Sequence, residues 1–178
     1  MKRKFSFVLL LMLVVCCVFA CGTAADGTTA TTEATIPEGY TTYSNGDISF
    51  AYPSAWKKQA GSVVMLVNES GVGNNITVAY EAKTNMYNTF TVADFNSMMK
   101  PAYEAMGMAV KNPAVSHKEV GGEKVNVICY TATVSGKDIK QTQYIVNAGE
   151  YTYVITVTET EADAALVKNV FETIKVLK

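Results

Sequence analysis

The stretch Asp47-Ile48-Ser49-Phe50-Ala51-Tyr52-Pro53-Ser54-Ala55-Trp56 carries the clearest fold signal in this chain. Large apolar side chains at positions 48, 50 and 52 alternate with small ones, which is the pattern of a half-buried β-strand. Pro53 lacks a backbone donor and ends the strand, and Asn45-Gly46 predicts a turn into it. We interpret Trp56 as a core anchor at the strand end, the alternative being a residue that stacks on a ligand.

Further strands are predicted downstream, separated by short turns that contain glycine. They cover residues 63–67, 76–80, 124–134, 138–146 and 151–158. In the last of these, the side chains of Tyr151 and Tyr153 face one way with Ile155 and Val157, whereas three threonines share the opposite face with Val154. This alternation predicts a sheet with one packed face and one more polar face. Because short turns join neighbouring strands, the sheet is expected to be antiparallel.

Two helices are predicted. The first begins at Thr91, whose side chain caps it with help from Asp94, and ends at Gly107. Its expected apolar stripe comprises Val92, Phe95, Met99, Ala102 and Met106. Pro101 is expected to kink this helix or to split it after Lys100.

The final helix is expected to start within residues 160–163 and to lie across the sheet with one apolar stripe. That stripe comprises Leu166, Val167, Val170, Phe171, Ile174 and Leu177. Together, the elements predict an α+β fold with helices covering one or both faces of an antiparallel sheet.

The signature apolar-x-Phe-x-Tyr-Pro-x-x-Trp at residues 48–56 opens a domain of about 135 residues and resembles the PsbP-like family. The resemblance covers residues 43–178 and includes a central helix, a β-meander and a closing helix in the same order. It implies an antiparallel β-sheet flanked by helices, an α-β-α sandwich. It also implies a non-enzymatic accessory or binding subunit, since the family is not one of established enzymes. The family includes extrinsic photosystem II subunits and many bacterial lipoproteins, and resemblance in fold alone does not transfer the photosynthetic role to this chain.

The N-terminus has the layout of a secretory signal: Lys2, Arg3 and Lys4 precede an apolar run that ends at Ala20. The run is shorter than the roughly 20 residues that span a bilayer. Val18-Phe19-Ala20-Cys21 resembles the lipobox of bacterial prolipoproteins, which implies cleavage before Cys21 and a diacylglyceryl group on its sulfur. We therefore expect a lipoprotein anchored to the bacterial cell membrane, with its domain on the extracytoplasmic side; an ordinary secreted protein and an uncleaved anchor helix are the alternatives.

The expected organisation is a signal peptide at residues 1–20, a lipidated cysteine and tether at 21–39, and one domain at 40–178. Residues 22–39 are rich in Thr and Ala, without aromatic residues, and such a tether spans roughly 25 Å. The formal charge of −1 includes the three N-terminal positive charges, so the mature chain carries −4 and no arginine. This composition argues against nucleic acid as a partner.

Residues that support catalysis are scarce. His117 is the single histidine and is interpreted as part of a solvated strand end, and Cys129 is interpreted as a small buried hydrophobe. Five methionines lie between positions 86 and 108, and a soft Cu(I) site or an adaptable groove is the alternative to simple core packing. No cofactor and no metal site are predicted.

The sequence therefore predicts a non-enzymatic binding or accessory module, with an enzyme of unknown type acting on cell-envelope components as the alternative. An envelope protein or an apolar small molecule is the expected partner, besides membrane lipid through the acylated Cys21. The expected contact surface is an apolar-aromatic patch. It comprises Tyr80, Met86, Tyr87 and Phe90, with the neighbouring methionines.

Overall fold

The computed structural model describes residues 35–59, 61, 63–69 and 73–177. The predictions for the signal peptide, for Cys21 and for most of the tether lie outside the described residues. Across the described part of the chain, no helix has both the length and the apolar character needed to cross a bilayer.

A seven-stranded sheet forms the centre of the domain, and all of its neighbouring strands are antiparallel, as predicted. Its order is β3-β4-β5-β9-β8-β7-β6. The strands are β3 (Lys57–Gln59), β4 (Val64–Val67), β5 (Asn75–Ala82), β6 (Ala109–Val120), β7 (Glu123–Val134), β8 (Lys137–Ala148) and β9 (Tyr151–Glu159). The last four strands form a meander. Its turns at 121–122 and 135–136 have positive φ at both residues, which matches the right-handed twist of the flanking strands.

Strand β6 forms one edge of this sheet and was not predicted as a full strand. Its pairing with β7 shifts register between Lys111 and Ala114, where Asn112 has a φ of +51° and Pro113 follows. His117 lies within this strand, and its side chain is exposed. Proline and an irregular register are typical of edge strands, where one side of the backbone needs no partner.

A three-stranded antiparallel sheet of order β1-β2-β10 packs beside the large one. It consists of β1 (Tyr40–Ser44), β2 (Ile48–Pro53) and β10 (Lys175–Val176). The predicted turn before β2 is confirmed, because the Asn45 side-chain oxygen accepts the N–H groups of Asp47 and Ile48 at 3.1 and 3.0 Å. Ser49 and Ala51 are as buried as their large neighbours, so β2 is a covered strand and not a half-buried one.

The central helical region, residues 86–105, is irregular before Pro101, and the predicted split after Lys100 is wrong, because a single helix, Lys100–Ala105, contains both of these residues. A 3₁₀ turn (Met86–Thr89) precedes α1 (Val92–Asp94), a π-helical turn (Phe95–Met99) and α2 (Lys100–Ala105). The buried stripe is Phe95, Met99 and Tyr103, whereas Val92 and Met106 are exposed, so the predicted stripe is wrong in part. The π turn is the reason, since its extra residue advances the apolar face from position 102 to position 103.

Helix α3 (Ala164–Thr173) begins where the sequence predicted. Asp163 caps it by accepting the Leu166 N–H at 2.9 Å. Leu166 and Val170 are fully buried, whereas Leu177 is exposed and does not belong to the buried stripe. The helix is fixed to both sheets: Tyr144 donates its hydroxyl proton to the Val167 carbonyl at 3.0 Å, and Thr173 accepts the Ala51 N–H at 2.8 Å.

The large sheet is packed on both faces, which corrects the prediction of one polar face. The first core contains Tyr153 and Ile155 from β9, and α3 and the three-stranded sheet cover it. The second core contains Val154 and lies under residues 86–105. The threonines at 152, 156 and 158 are buried as well. Helices are few, and α3 shares its layer with strands, so the structure supports a mostly antiparallel β fold with a small helical content.

Candidate functional site

Two tyrosine rings are exposed at one end of the large sheet. Tyr80 on β5 is 59% exposed and Tyr151 on β9 is 40% exposed. Their ring centroids are 5.0 Å apart, and the ring planes are at 73° to each other. The ring of Tyr153 is 5.9 Å from that of Tyr80 and is itself buried. An exposed edge-to-face pair on two hydrogen-bonded strands is held in place by the strands themselves.

The base of this pair is fixed by the Asn45–Asp47 turn and by the C-terminal end of the chain. Tyr153 donates its hydroxyl proton to the Asp47 carboxylate at 2.7 Å, and the Leu177 N–H donates to the Asp47 carbonyl at 2.7 Å. The Leu177 side chain is 47% exposed. We use the name tyrosine surface for the exposed rings of Tyr80 and Tyr151, with Tyr153 and its partner Asp47 beside them.

Tyr153 remains a neutral phenol in this arrangement. Burial raises its pKa well above the usual value, and the hydrogen bond to Asp47 and the charge of that carboxylate raise the pKa further. A protonated hydroxyl is the form that donates to the carboxylate. Tyr153 is therefore a support for the exposed rings and not an acid or base that titrates near neutral pH.

The predicted contact residues do not lie together at the surface. Tyr80 faces the first core's side of the sheet, because it pairs directly with Tyr153. Tyr87 and Phe90 are 3% and 2% exposed and pack in the second core with their ring centroids 5.5 Å apart. The expectation that these two side chains form a surface is wrong, because they anchor residues 86–105 to the sheet. Met86 is half-buried against the same core.

The other residues that the sequence offered as functional candidates differ in their packing. Trp56 is partly buried against the first core, in keeping with its interpretation as an anchor. Cys129 is partly buried against that core too, with its Sγ 3.5 Å from the Thr142 hydroxyl. The methionines divide: Met99 and Met108 are buried in the second core, and Met98 and Met106 are exposed.

A polar network connects the central helical region to the sheet inside the second core. Tyr130 donates its hydroxyl proton to Gln141 Oε1, and Gln143 Nε2 donates to the hydroxyls of Tyr103 and Tyr130 at 3.2 and 3.3 Å. Gln141 Nε2 donates to the Thr158 hydroxyl at 3.3 Å. Burial raises the pKa of both phenols, so the network is neutral and holds α2 on the sheet.

Glu159 is the buried carboxylate nearest to α3. It accepts the Asp163 N–H at 3.1 Å, and its other oxygen is 3.5 Å from the Lys140 ammonium. Burial raises the pKa of Glu159, and the contacts with Asp163 N–H and Lys140 oppose that rise only in part. Among the described residues, no group of three or more His, Cys, Asp or Glu side chains is arranged to hold a metal ion.

Comparison with known proteins identifies the fold. Neither a family model nor a curated protein matches the sequence. Among solved structures, cyanobacterial PsbP (CyanoP) from Synechocystis sp. PCC 6803 superimposes with a TM-score of 0.62 at 14% identity, covering 84% of this chain and 98% of that one. The fold is PsbP-like. The resemblance drawn from residues 48–56 is thus confirmed at the level of the fold.

Two other structures are more distant. A protein from Bacteroides thetaiotaomicron has a TM-score of 0.49 at 13% identity, covering 74% of this chain and 45% of that chain. A protein of unknown function from Pseudomonas aeruginosa has a TM-score of 0.40 at 18% identity, covering 71% of this chain and 86% of that one.

The sequence predicts Tyr80 as a contact residue, and Tyr80 is exposed, but it does not predict Tyr151 beside it. The alternation in β9 placed Tyr151 and Tyr153 on one face correctly, and that face was expected to be packed throughout. Tyr151 is at the first position of β9, next to the turn after β8, where the covering layer no longer reaches. The feature of the sequence that could have indicated an exposed Tyr151 is its position at the start of a strand, directly after the turn residues Gly149-Glu150.

Proposed function

We propose that the chain is a membrane-anchored extracytoplasmic lipoprotein whose PsbP-like domain acts as a non-enzymatic binding or accessory module. The lipobox-like sequence ending at Cys21 supports the anchor, and two acyl chains hold a protein stably at a bilayer. In this proposal residues 40–178 form the domain as an α-β-α sandwich, with residues 86–105 and α3 in its outer layers.

The tyrosine surface is the observation that carries the binding role. Tyrosine is enriched at interfaces because its ring offers a large apolar area and its hydroxyl a polar contact at a small cost in side-chain entropy. Here the two exposed rings contact each other and the ring of Tyr153, which donates to Asp47, and these contacts reduce the cost of ordering the rings on binding. The expected partners remain an envelope protein or an apolar small molecule.

The anchor is tested by labelling cells with a clickable fatty acid. Cys21→Ala should abolish incorporation of the label and leave an unprocessed precursor or a released protein. Cys16→Ala and Cys17→Ala are the matched controls, because both cysteines lie inside the apolar run, and they should still be labelled. Continued labelling of the Cys21→Ala protein would show that the anchor is elsewhere.

The binding role is tested by crosslinking the full lipoprotein in its own membrane and identifying what co-purifies in detergent. A component lost on Tyr151→Ala and kept on His117→Ala supports a binding module. Turnover of an envelope substrate that disappears on His117→Ala, without any retained partner, would replace this proposal with the enzyme.

A further inference from the structure

The exposed apolar area of the tyrosine surface is small. An aromatic side chain buries roughly 150–250 Å² when fully covered, so Tyr80 and Tyr151 at 59% and 40% exposure together offer roughly 200 Å². Each side of a stable protein–protein interface buries about 800 Å². The rings fit one or two small rigid units better than the face of another protein.

The tyrosine surface has no excess of positive charge, since the Asp47 carboxylate accepts the Tyr153 hydroxyl proton beside the exposed rings. Lys83 and Glu150 are both exposed beside the rings, and their backbones are joined by a hydrogen bond of 3.0 Å. They carry opposite charges, and the mature chain has no arginine with which to hold phosphates in a bidentate manner. A strongly anionic polymer or lipid head group has little to bind here, so a neutral ligand is favoured.

The surface lies far from the point where the tether enters the domain. The tether reaches the domain at Gly39, and β1 then runs from Tyr40 to Ser44 before the Asn45–Asp47 turn beneath Tyr153. Five residues of strand span about 17 Å. The point at which the tether enters the domain therefore does not cover the tyrosine surface.

We propose that the tyrosine surface binds a neutral glycan chain of the cell envelope. A sugar ring presents an apolar C–H face that stacks on an aromatic ring, and its rim of hydroxyl groups exchanges hydrogen bonds with the two phenols. The Tyr80–Tyr151 pair supplies one ring face and one ring edge for adjacent sugar units. The envelope location rests on the proposed function, whereas the binding chemistry rests on the surface itself.

The test measures binding of full-length lipoprotein, in detergent, to fluorescent six-residue oligosaccharides of N-acetylglucosamine and of glucose. Tyr80→Ala and Tyr151→Ala should each weaken binding of at least one oligosaccharide by about tenfold, because each removes one of the two ring contacts. Tyr80→Trp should retain binding. Met98→Ala is the matched control, since Met98 is 40% exposed on the central helical region, and its binding should not change.

Absence of saturable binding to both oligosaccharides at millimolar concentration would overturn the glycan inference. Equal binding by the wild type and Tyr80→Ala would overturn it too. A protein crosslinked at the tyrosine surface instead of a glycan would reject this inference while leaving the binding module intact. Failure of the wild-type protein to take up the fatty acid, or continued labelling of the Cys21→Ala protein, would reject the proposed anchor, and the oligosaccharide result would stand by itself.

Discussion

At the scale of single residues, the second core depends on hydroxyl and amide groups that satisfy one another. Tyr130 is 2% exposed and takes part in two of these hydrogen bonds, as donor to Gln141 and as acceptor from Gln143. Buried polar groups are tolerated only when they are paired, so the network ties α2 to one position on the sheet.

Tyr130→Phe should lower the free energy of unfolding by about 1–3 kcal/mol, because it removes the donor to the buried Gln141 Oε1 and one of the two acceptors of Gln143 Nε2. Tyr80→Phe removes a hydroxyl from an exposed ring and should change stability by less than about 0.5 kcal/mol. Urea denaturation followed by circular dichroism measures both variants. Equal, small effects would mean that water replaces the Tyr130 hydroxyl at no cost.

Glu159 makes the stability of the fold depend on pH. Its pKa is raised in the folded protein above the ordinary value of 4.5, chiefly by burial, so the folded state favours the protonated acid. The stabilising contribution of this group is therefore complete below the unfolded pKa and is lost as pH rises through the folded pKa.

Glu159→Gln should remove this component, since the amide keeps an oxygen for the Asp163 N–H and does not titrate. The difference in free energy of unfolding between the variant and the wild type should shift in favour of the variant as pH rises from 4.5 towards 7. Denaturation at several pH values tests the sign. A difference that stays constant, or that shifts towards the wild type, would contradict the assignment.

At the scale of elements, the end of α2 is defined by Gly107. Its φ of +79° lies in the left-handed region, and the N–H groups of Gly107 and Met108 donate to the carbonyls of Glu104 and Tyr103 at 2.9 and 3.1 Å. This is the Schellman arrangement, which only a residue without a side chain adopts easily.

Gly107→Ala should destabilise the domain by about 1 kcal/mol or more, because a Cβ at this φ is strained even though no atom lies within 4 Å of it. Gly61→Ala is the matched control: its φ lies outside that region and its added Cβ would meet the Val63 carbonyl oxygen at an ordinary 3.5 Å. The control should be neutral or slightly stabilising. Thermal unfolding of both variants makes the comparison.

The sequence predicts best those elements in which buried residues recur at regular intervals along the chain. Strands β5, β7, β8 and β9 are central and carry regular apolar positions. The pattern does not predict β6 in full, because an edge strand carries polar side chains at its exposed positions. It does not predict β1 and β10, because the formation of such short strands depends on the strands with which they pair. The tyrosine surface depends on where the covering layer stops, which is a tertiary property that local periodicity does not contain.

At the scale of the whole molecule, one sheet separates two cores that are closed by different layers. Among the described residues no disulfide is present, and Cys129 is not part of one. Packing on both faces of the sheet must therefore supply the stability of the domain.

Thermal unfolding of the full-length protein should give the same midpoint, within about 2 °C, with and without a thiol reductant. The reason is that lipid attachment at Cys21, as proposed, leaves Cys129 as the only thiol of the mature chain. Scanning calorimetry in detergent with both buffers makes the measurement. A large fall in midpoint on reduction would reveal a dimer linked through Cys129.

The irregular stretch of β6 limits edge-to-edge association between copies of the protein that are anchored to one membrane. The proposed anchor confines copies of the protein to a plane, where tethering raises their effective concentration far above that in solution. A flat edge of twelve residues would offer each neighbour a ladder of backbone groups to extend. Pro113 and the register shift beside it break that ladder near its start. Crowded copies are therefore expected to diffuse past one another in two dimensions without joining their sheets into fibrils.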